Sequence, residues 1–501
     1  MPKEKIRFGP FGAFPPSTIL FALILILSLS FCLIYISRGS LANYDEAIYA
    51  QSAKEMFKTG QWLDPTWQNG LPFYHKPPLY MWLTSASYCI FGTNEFATRL
   101  WPALFGIGCI ISVFYFAKYL FGSLSGGCAV LLLLSNLHFQ HLTTSASLDT
   151  MLSFFITVSA YFFLRSMDQP ELRRHSIISG LAAGLAIMSK GAAGLAVLPI
   201  IALIFFLHPN RNKWILARAF EFLFTLFLIA LPWHIYSLLV HGSSFVNEYV
   251  GYQVLQRALS PIEGNGGDPL LYLRLLVSKA FLTILSVVLA SVFLVAQKQK
   301  NFFWAGWVLL FSSILIIGGY SLMQTRLDQY IAPVYPLLAV LGGYGSSQAI
   351  LWLAGHSIHL QLILDWARMN IPRLISEKWV FVLALTVLIL SMSVILAIRV
   401  PAHDYNPQIK TISVSIRTIV PPGHSVILWD EGVLTGKGDL LPWALEFYCD
   451  RPIVSIEDLT KENVSSPPPH YVLSSEANWE RLNETRAPLV RINDTVFYIL
   501  D

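Results

Sequence analysis

Long apolar runs recur along most of this chain, and each has about the length that an α-helix needs to cross a lipid bilayer. A spanning strand would leave backbone amides unpaired in lipid unless it closed into a barrel, so a series of such runs predicts helices. The sequence therefore predicts an all-α polytopic membrane protein with about eleven transmembrane helices. The predicted spans are residues 19–36, 97–117, 124–142, 147–164, 176–189, 192–207, 215–239, 270–296, 302–322, 329–353 and 377–398.

The composition agrees with a membrane protein and excludes one class of partner. Hydrophobic residues make up 54% of the 501 positions and charged residues 13%, against roughly 25% charged in an ordinary soluble protein. A net charge of +4 over this length does not make the dense basic surface that nucleic acids require, so we expect no nucleic-acid partner. The five cysteines show no CxxC spacing, which is typical of reduced, unreactive thiols.

Basic residues give the predicted spans an orientation. Lys3, Lys5 and Arg7 precede the first apolar run, which lacks a small-residue cleavage site and is interpreted as an uncleaved span. Alternating the spans from a cytoplasmic N-terminus places every short basic loop in the cytoplasm, as the positive-inside rule requires. These loops contain Lys118, Arg165, Arg173, Arg174, Arg211, Lys213, Arg218, Lys298, Lys300, Arg368, Arg373 and Lys378.

The same alternation gathers polar segments on the extracytoplasmic face, where we therefore expect a functional site. Segment 351–375 is instead amphipathic and is predicted to be an interfacial helix on the cytoplasmic side. The extracytoplasmic segments are the first loop, 40–96, then 141–149, Lys190, 241–269, 324–330 and the tail after residue 400.

After about residue 400 the apolar runs shorten to the length of strands. We therefore expect two domains, a transmembrane module at 1–400 and a soluble extracytoplasmic domain of the α/β class at 401–501. The predicted strands of the second domain are 425–429, 453–456, 471–474 and 490–500, with a helical pattern at 440–447.

The stretch 43–82 contains the residues best suited to chemistry, because it emerges directly at the extracytoplasmic membrane face. From Ile48 to Lys58 the apolar and polar residues repeat with a helical period. This predicts an interfacial helix with Asp45 and Glu46 in its first turn and with an exposed polar face. Alternatively, an acid at this position only stabilises the N-terminus of the helix, and both interpretations stay open. The exposed polar face is expected to contain Gln51, Lys54, Glu55 and Lys58.

A second motif in the same loop is His75-Lys76-Pro77-Pro78. A proline pair cannot lie inside a helix and disfavours helical backbone in the residue before it. Lys76 is therefore expected to be held by stiff, non-helical backbone.

The pattern YDEAIYA, followed about thirty residues later by HKPPLYMW, resembles the membrane glycosyltransferases of the GT-C fold. It is similar to the group of lipid A aminoarabinose transferases and dolichyl-phosphate-mannose protein mannosyltransferases. The resemblance implies an enzyme of the bacterial inner membrane that takes a sugar from a polyprenyl-phosphate donor. The acceptor implied is a lipid, a protein or an envelope glycan on the extracytoplasmic face, and the sugar itself stays open.

Two further residues, Asp149 and Lys190, lie at the predicted extracytoplasmic ends of spans. An ionisable group at this depth is a candidate for function, although Asp149 could also begin a helix. Lys190 could snorkel to the surface, but the positive-inside rule disfavours a cation on this face. The resemblance implies that Asp149 is a second acid of the site and that Lys190 contacts phosphate.

Arg326 is a third cation on this face, and Tyr330 follows it. An exposed ion pair between Arg326 and Asp328 is the alternative, worth little in stability. The resemblance places a basic residue followed by Tyr and Pro here. It therefore implies that Arg326 and Tyr330 contact the donor.

These residues together suit the transfer of a sugar from a lipid phosphate. A carboxylate, with Asp45 as the candidate, can remove the proton of an acceptor hydroxyl or amine. Cations, with Lys76, Lys190 and Arg326 as the candidates, can stabilise the phosphate that leaves. Single displacement predicts inversion at the sugar.

The sequence leaves a divalent metal open and predicts no certain cofactor. In the aminoarabinose branch, the resemblance implies a Glu before the Lys-Pro and a His in the long loop as metal ligands. Here the first position is His75, and segment 248–257 contains no His. A single His is more typical of hydrogen bonding or phosphate contact than of a metal site.

A membrane transporter or glycolipid flippase is the alternative function. Such proteins often contain inverted repeats with ionisable residues in both halves. In this chain the acids gather in the first third and the tail is a soluble domain, which favours the transferase.

Overall fold

The computed structural model describes residues 33–356 apart from short gaps, and parts of the C-terminal region. The predicted span 377–398 lies outside the described residues, as do most of span 19–36 and most of the amphipathic segment 351–375. The gaps in the first part are 34, 43, 68–69, 212–215, 263 and 298–299, and the described C-terminal segments are 409–422, 424–428, 442–455, 470–475, 490–492 and 495–500.

The loop 40–96 begins with the expected helix, α1 (Asp45–Thr59), which ends at Gly60 in the left-handed conformation (φ 72°). A short antiparallel hairpin of β1 (Thr66–Trp67) and β2 (Leu71–Pro72) follows. Helix α2 (Leu79–Phe91) starts directly after the proline pair, since proline fits the start of a helix better than its interior. Lys76 therefore lies in a non-helical bend between the hairpin and α2.

Helices form the rest of the first part of the chain, and among the described residues five helical stretches are long and apolar enough to cross a membrane, or six if one bent pair is counted. This count is lower than the predicted eleven spans, and the predicted spans outside the described residues are not tested. The helices are α3 (Glu95–Phe121), α4 (Ser123–Leu134), α5 (Leu137–Thr144), α6 (Leu148–Asp168), α7 (Arg173–Lys190), α8 (Val197–Leu207), α9 (Leu216–Phe245), α10 (Leu271–Lys279), α11 (Phe281–Gln297), α12 (Lys300–Leu322) and α13 (Val334–His356).

The chain reverses direction between α7 and α8. At one end of α6, Lys190 pairs with Asp149, and at the other end His208 lies 3.2 Å from Asp168. A 3-10 turn from Gly191 to Ala196 makes the reversal, and Gly191 has φ 62°, which a side chain would disfavour. The segment from Lys190 to His208 therefore returns along the length of α6.

Two predicted elements of the middle region are wrong. The run 270–296 is not one straight span, because α10 and the following apolar helix meet at an angle of 97°. The segment 241–269 is not all loop, since a π-helix covers Val246–Gln256 and helical backbone continues to Leu259. Two of its polar side chains, Tyr249 and Gln253, line the pocket described below.

Helix α13 packs closely against its neighbours because it carries small residues. A Cβ on Gly343 would lie 2.5 Å from the Ser125 carbonyl oxygen, and one on Gly345 would overlap the Ser286 carbonyl. Small residues let helix backbones approach each other in a membrane, where no hydrophobic driving force separates helix from lipid. This contact joins α13 to α4 and α11.

The described C-terminal residues form α14 (Ile409–Ile419), α15 (Pro442–Cys449) and a five-stranded sheet, which confirms the predicted α/β class. Strand β3 (Val426–Leu428) lies parallel to β4 (Ile453–Ser455) and to β5 (His470–Ser475). The run 490–500 is not one strand, because β6 (Val490–Ile492) turns back on β7 (Thr495–Leu500). The strand order is β4-β3-β5-β7-β6.

The C-terminal residues cover α1, and the prediction of an exposed polar face on this helix is wrong for two residues. Gln51 is 6% exposed and Lys54 is 5% exposed. The Lys54 ammonium donates to the Phe447 carbonyl of α15 at 2.5 Å, and the Gln51 amide donates to Glu446 at 3.3 Å. A polar helix face can therefore be an interface when the opposite surface is also polar.

Candidate active site

Asp149 and Lys190 form a buried ion pair at the N-terminal end of α6. The Lys190 ammonium lies 2.6 Å from both Asp149 oxygens, and the two residues are 7% and 3% exposed. Ser147 caps α6, since its hydroxyl accepts from the Asp149 amide at 3.1 Å. The ammonium also lies 5.3 Å from the Tyr330 ring centre, a distance typical of a cation–π contact.

A pocket of about 210 Å³ opens beside this ion pair. Tyr249 stands against Gly191, where a Cβ would lie 2.5 Å from the tyrosine hydroxyl. The pocket thus combines aromatic walls with cations, as a site for a sugar and a phosphate requires. Its lining includes His75, Lys76, Lys190, Tyr249, Gln253, Tyr320 and Tyr330.

Lys76 provides the cation of this pocket that has no carboxylate partner among the described residues. Its ammonium donates to the Gln253 side-chain oxygen at 2.8 Å. Burial, with added repulsion from Lys190 and Arg257, lowers the pKa of Lys76 to about 7. An anion in the pocket would favour the protonated form and would bind most strongly to it.

His75 lies beside Lys76, and its Nε2 is 2.9 Å from the Glu248 carboxylate. Burial, with repulsion from Lys76 and Arg257, lowers the pKa of His75 to about 4, so the ring is neutral at pH 7. The contact is therefore a hydrogen bond from the imidazole to Glu248.

Neither His75 nor any other described residue completes a metal site. Within residues 33–356 and the described C-terminal segments, no three His, Cys, Asp or Glu residues are placed to hold an ion. His75 and Glu248 supply two ligands, whereas a catalytic zinc site has three protein ligands. The described donor set therefore does not fit a metal, and no step below uses one.

Arg326 does not line this pocket. Its Nε donates to the Ser321 carbonyl at 3.2 Å and its Nη1 to the Gly267 carbonyl, and it faces a second pocket beside Lys279. Among the described residues it also makes no ion pair with Asp328, the alternative drawn from the sequence.

Arg257 is a further cation close to this pocket, beside Tyr330, although it does not itself line the pocket. Its Nη1 lies 3.4 Å from the Tyr330 hydroxyl, and its charge acts on His75 and Lys76. The sequence prediction omits Arg257, since it considers only a histidine ligand in segment 248–257. The available signal was a basic residue on the face where the positive-inside rule disfavours one.

The adjacent acids Asp45 and Glu46 have different surroundings. Glu46 is 5% exposed, and its oxygens accept from Arg99 at 2.6 and 2.9 Å. Burial raises the pKa of Glu46, but Arg99 and the amides of Ala42 and Ala146 outweigh it, so the pKa is lowered overall. Glu46 is thereby held ionised in a buried network.

Asp45 is exposed, and one oxygen accepts from the Gln329 amide at 3.3 Å. Its charge acts on Lys76 and on Asp149, which places it close to the pocket. The residue before it, Tyr44, has φ 70°, an uncommon conformation for a side chain of this size. Of the two acids, Asp45 is the one that a substrate can reach.

Several known proteins are similar to this chain in sequence. Residues 75–236 match the family model of dolichyl-phosphate-mannose-protein mannosyltransferases. The chain is 29% identical over 300 residues to an uncharacterized protein of Aquifex aeolicus, a match covering 59% of this chain and 58% of that protein. It is 26% identical over 336 residues to the undecaprenyl phosphate-alpha-4-amino-4-deoxy-L-arabinose arabinosyl transferase of Yersinia pestis, covering 65% and 59%. The chain thus spans under two thirds of the length of these relatives.

The crystal structure of ArnT from Cupriavidus metallidurans bound to undecaprenyl phosphate superimposes with a TM-score of 0.71 at 19% identity, covering 96% of this chain and 97% of ArnT. The chain has the GT-C fold. This confirms the fold that the two loop motifs predicted, and the GT-C chain is an integral membrane protein. The region matched by the family model contains His75, Lys76, Asp149 and Lys190, but Asp45 precedes it and Arg257 follows it.

Proposed function

We propose that this GT-C chain transfers a sugar from a polyprenyl-phosphate donor to an acceptor on the extracytoplasmic face. The observation that carries the proposal is Lys76, a cation without a carboxylate partner among the described residues, in a pocket beside Asp149–Lys190 and near Asp45. The undecaprenyl phosphate bound to ArnT supports a lipid phosphate as the ligand. The names of the relatives support transfer and not the transporter alternative.

The donor phosphate would contact Lys76, which lines the pocket, with the charge of Arg257 close by at the Tyr330 hydroxyl. Cations there stabilise the negative charge that builds up on the leaving phosphate. Lys190 would share its ammonium between the phosphate and Asp149, which holds it in place at 2.6 Å. His75, neutral and bonded to Glu248, would shape the wall beside Lys76.

The transfer itself is a single displacement. The acceptor oxygen or nitrogen forms a bond to the anomeric carbon while the bond from that carbon to the phosphate oxygen breaks. The electron pair of the broken bond stays on polyprenyl phosphate, and Asp45 takes the proton of the acceptor. The configuration at the anomeric carbon of the sugar is therefore inverted. Asp149, already paired with Lys190, acts as a positioning residue.

The surroundings of this reaction are part of the proposal. The module 1–400 would hold the site, and the domain 401–501 would stand outside the membrane. The N-terminus would lie in the cytoplasm of a bacterial cell, with the chain in the inner membrane. The acceptor would be a lipid, a protein or an envelope glycan.

A direct test uses the purified full chain in nanodiscs with radiolabelled undecaprenyl-phosphate sugars. Lipids or proteins from a strain that lacks the chain serve as acceptors. We expect labelled acceptor and released undecaprenyl phosphate in equal amounts, and release slower by about a hundredfold or more with Asp45→Asn. Translocation of the donor lipid across the bilayer without release of undecaprenyl phosphate would overturn transfer and favour a flippase.

A further inference from the structure

A second cleft lies between α1 and the C-terminal residues that cover it. It has a volume of about 470 Å³ and is formed by the polar face of α1, the hairpin after it, and the end of α15 with the turn that follows. This face of α1 is separate from Asp45, because residues 51, 54 and 58 lie on another side of the helix. The walls include Gln51, Lys54, Glu55, Glu446, Asp450 and Arg451.

The positive and negative side chains among the described residues that line this cleft are equal in number. Lys54 lies 3.0 Å from Asp450, and Lys58 also contacts Asp450. Lys54, Lys58 and Arg451 stand against three acids, Glu55, Glu446 and Asp450, so the described lining has no net charge. A free anion or cation would find no net attraction here, which favours a neutral ligand.

Most residues that line the cleft have polar side chains. Apart from Gly70 and Pro452, its described lining residues carry amide, hydroxyl, ammonium, guanidinium or carboxylate groups. Sites for lipids, peptides and drug-like molecules are usually lined mainly by apolar and aromatic side chains. A ligand covered with hydroxyl groups is the neutral class that matches this surface.

Gln51 and Glu55 have hydrogen-bonding capacity that the described residues do not use up. Gln51 is 6% exposed, and its Oε1 accepts no hydrogen bond among the described residues. Glu55 accepts from the Gln51 amide at 3.1 Å and from the Thr66 hydroxyl at 2.8 Å, which fixes its carboxylate at the cleft. A fixed carboxylate has further lone pairs that can accept from hydroxyl groups.

We propose that this cleft is a carbohydrate-binding site that holds a neutral saccharide unit, apart from the donor pocket. The inference rests on the proposed function in one respect, since the saccharide would belong to a glycan-bearing acceptor. Binding remote from the reacting group is a common way to position a long substrate. The C-terminal domain would thereby contribute directly to acceptor recognition.

The test measures binding to the full chain in detergent, without donor lipid and without turnover. The probes are neutral trisaccharides of glucose, mannose and N-acetylglucosamine, studied by saturation-transfer NMR and calorimetry. We expect at least one to bind, and Glu55→Gln to raise its Kd about tenfold, as expected for a lost charge-assisted hydrogen bond. Gln61→Ala, which removes an exposed side chain with no hydrogen bond among the described residues, should raise the Kd about threefold.

Glu171→Gln is the matched control, because it makes the same change at an exposed position in the turn before α7. Binding of undecaprenyl phosphate checks that each variant is folded. The absence of binding by every trisaccharide, an unchanged Kd in both cleft variants, or equal binding of the tripeptide Gly-Ser-Gly would overturn the proposal. A chain that binds saccharide in the cleft but transfers no sugar would overturn only the proposed function.

Discussion

The Glu46 carboxylate is held by the Arg99 guanidinium at 2.6 and 2.9 Å, in a contact buried on both sides. Arg99 also donates to the carbonyls of Arg38 and Ser40, at 2.8 and 2.9 Å. This network joins α3 to the chain that leads into α1, and the Ala146 amide adds the turn before α6. Glu46 therefore fixes the position of Asp45 relative to Asp149.

The two acids should respond differently to substitution by their amides. Asp45→Asn keeps the shape and capping ability of the side chain but removes the proton acceptor, so we expect turnover to fall about a hundredfold or more with donor binding unchanged. Single-turnover transfer at matched folded concentration checks this. An active Asp45→Asn protein would end its assignment as the base.

Glu46→Gln should act on stability, because it leaves the buried Arg99 charge without its partner. Breaking a buried pair in this way costs roughly 3 to 5 kcal/mol. We expect a lower melting temperature and less folded protein, measured by thermal unfolding in detergent, while each folded molecule keeps most of its activity. A stable but inactive Glu46→Gln protein would instead move the catalytic role to Glu46.

Donor binding should depend on Lys76 and on Arg257 more than on Arg326. Lys76→Ala and Arg257→Ala each remove a charge next to the donor phosphate, at a cost of roughly 1.5 to 3 kcal/mol. Arg326→Ala and the exposed Lys118→Ala should cost less than about 1 kcal/mol. The measurement is the Kd of undecaprenyl phosphate for each variant. Equal losses of affinity in all four variants would indicate a general surface potential and not a specific phosphate site.

Donor affinity should fall as the pH rises through about 7, where the buried Lys76 loses its proton because burial lowers its pKa. A phosphodiester donor keeps a constant charge in this range, so the protein group sets the trend. Stability should change in the opposite direction: the unfolded chain keeps Lys76 protonated up to its normal pKa, so the Lys76 contribution to stability rises with pH above about 7.

Binding of a phosphodiester donor analogue between about pH 6 and 9 measures the effect of Lys76. The matched control is Lys76→Arg, which stays charged throughout and should flatten the profile. The same slope in both proteins would show that another group controls the binding.

Topology gives a further test of the assigned faces. Reporter tags at Met1, after Pro209 and after Gln299 should report the cytoplasm, and a tag after Asp501 should report the outside. The reason is the unbroken placement of basic loops on one side. A cytoplasmic signal from the C-terminal tag would reverse the face assigned to the candidate site.

The sequence by itself determined the fold class and the segments that carry the site. Apolar length predicts helices in a membrane, the loop motifs indicated the GT-C fold, and both the polytopic class and the C-terminal α/β class are confirmed. These features are local, since they depend on hydrophobic periodicity and on a few neighbouring residues. The roles of Asp45, Lys76, Asp149 and Lys190 stay predictions.

Only the tertiary structure decided which side chains meet. Lys190 pairs with Asp149 across 41 positions, Glu46 pairs with Arg99 across 53, and Lys54 reaches Phe447 across 393. Arg257 lies beside Tyr330, whereas Arg326 donates to the carbonyls of Ser321 and Gly267. Such contacts depend on how whole helices pack, and hydrophobic periodicity reports how a face is solvated but not which distant residue covers it.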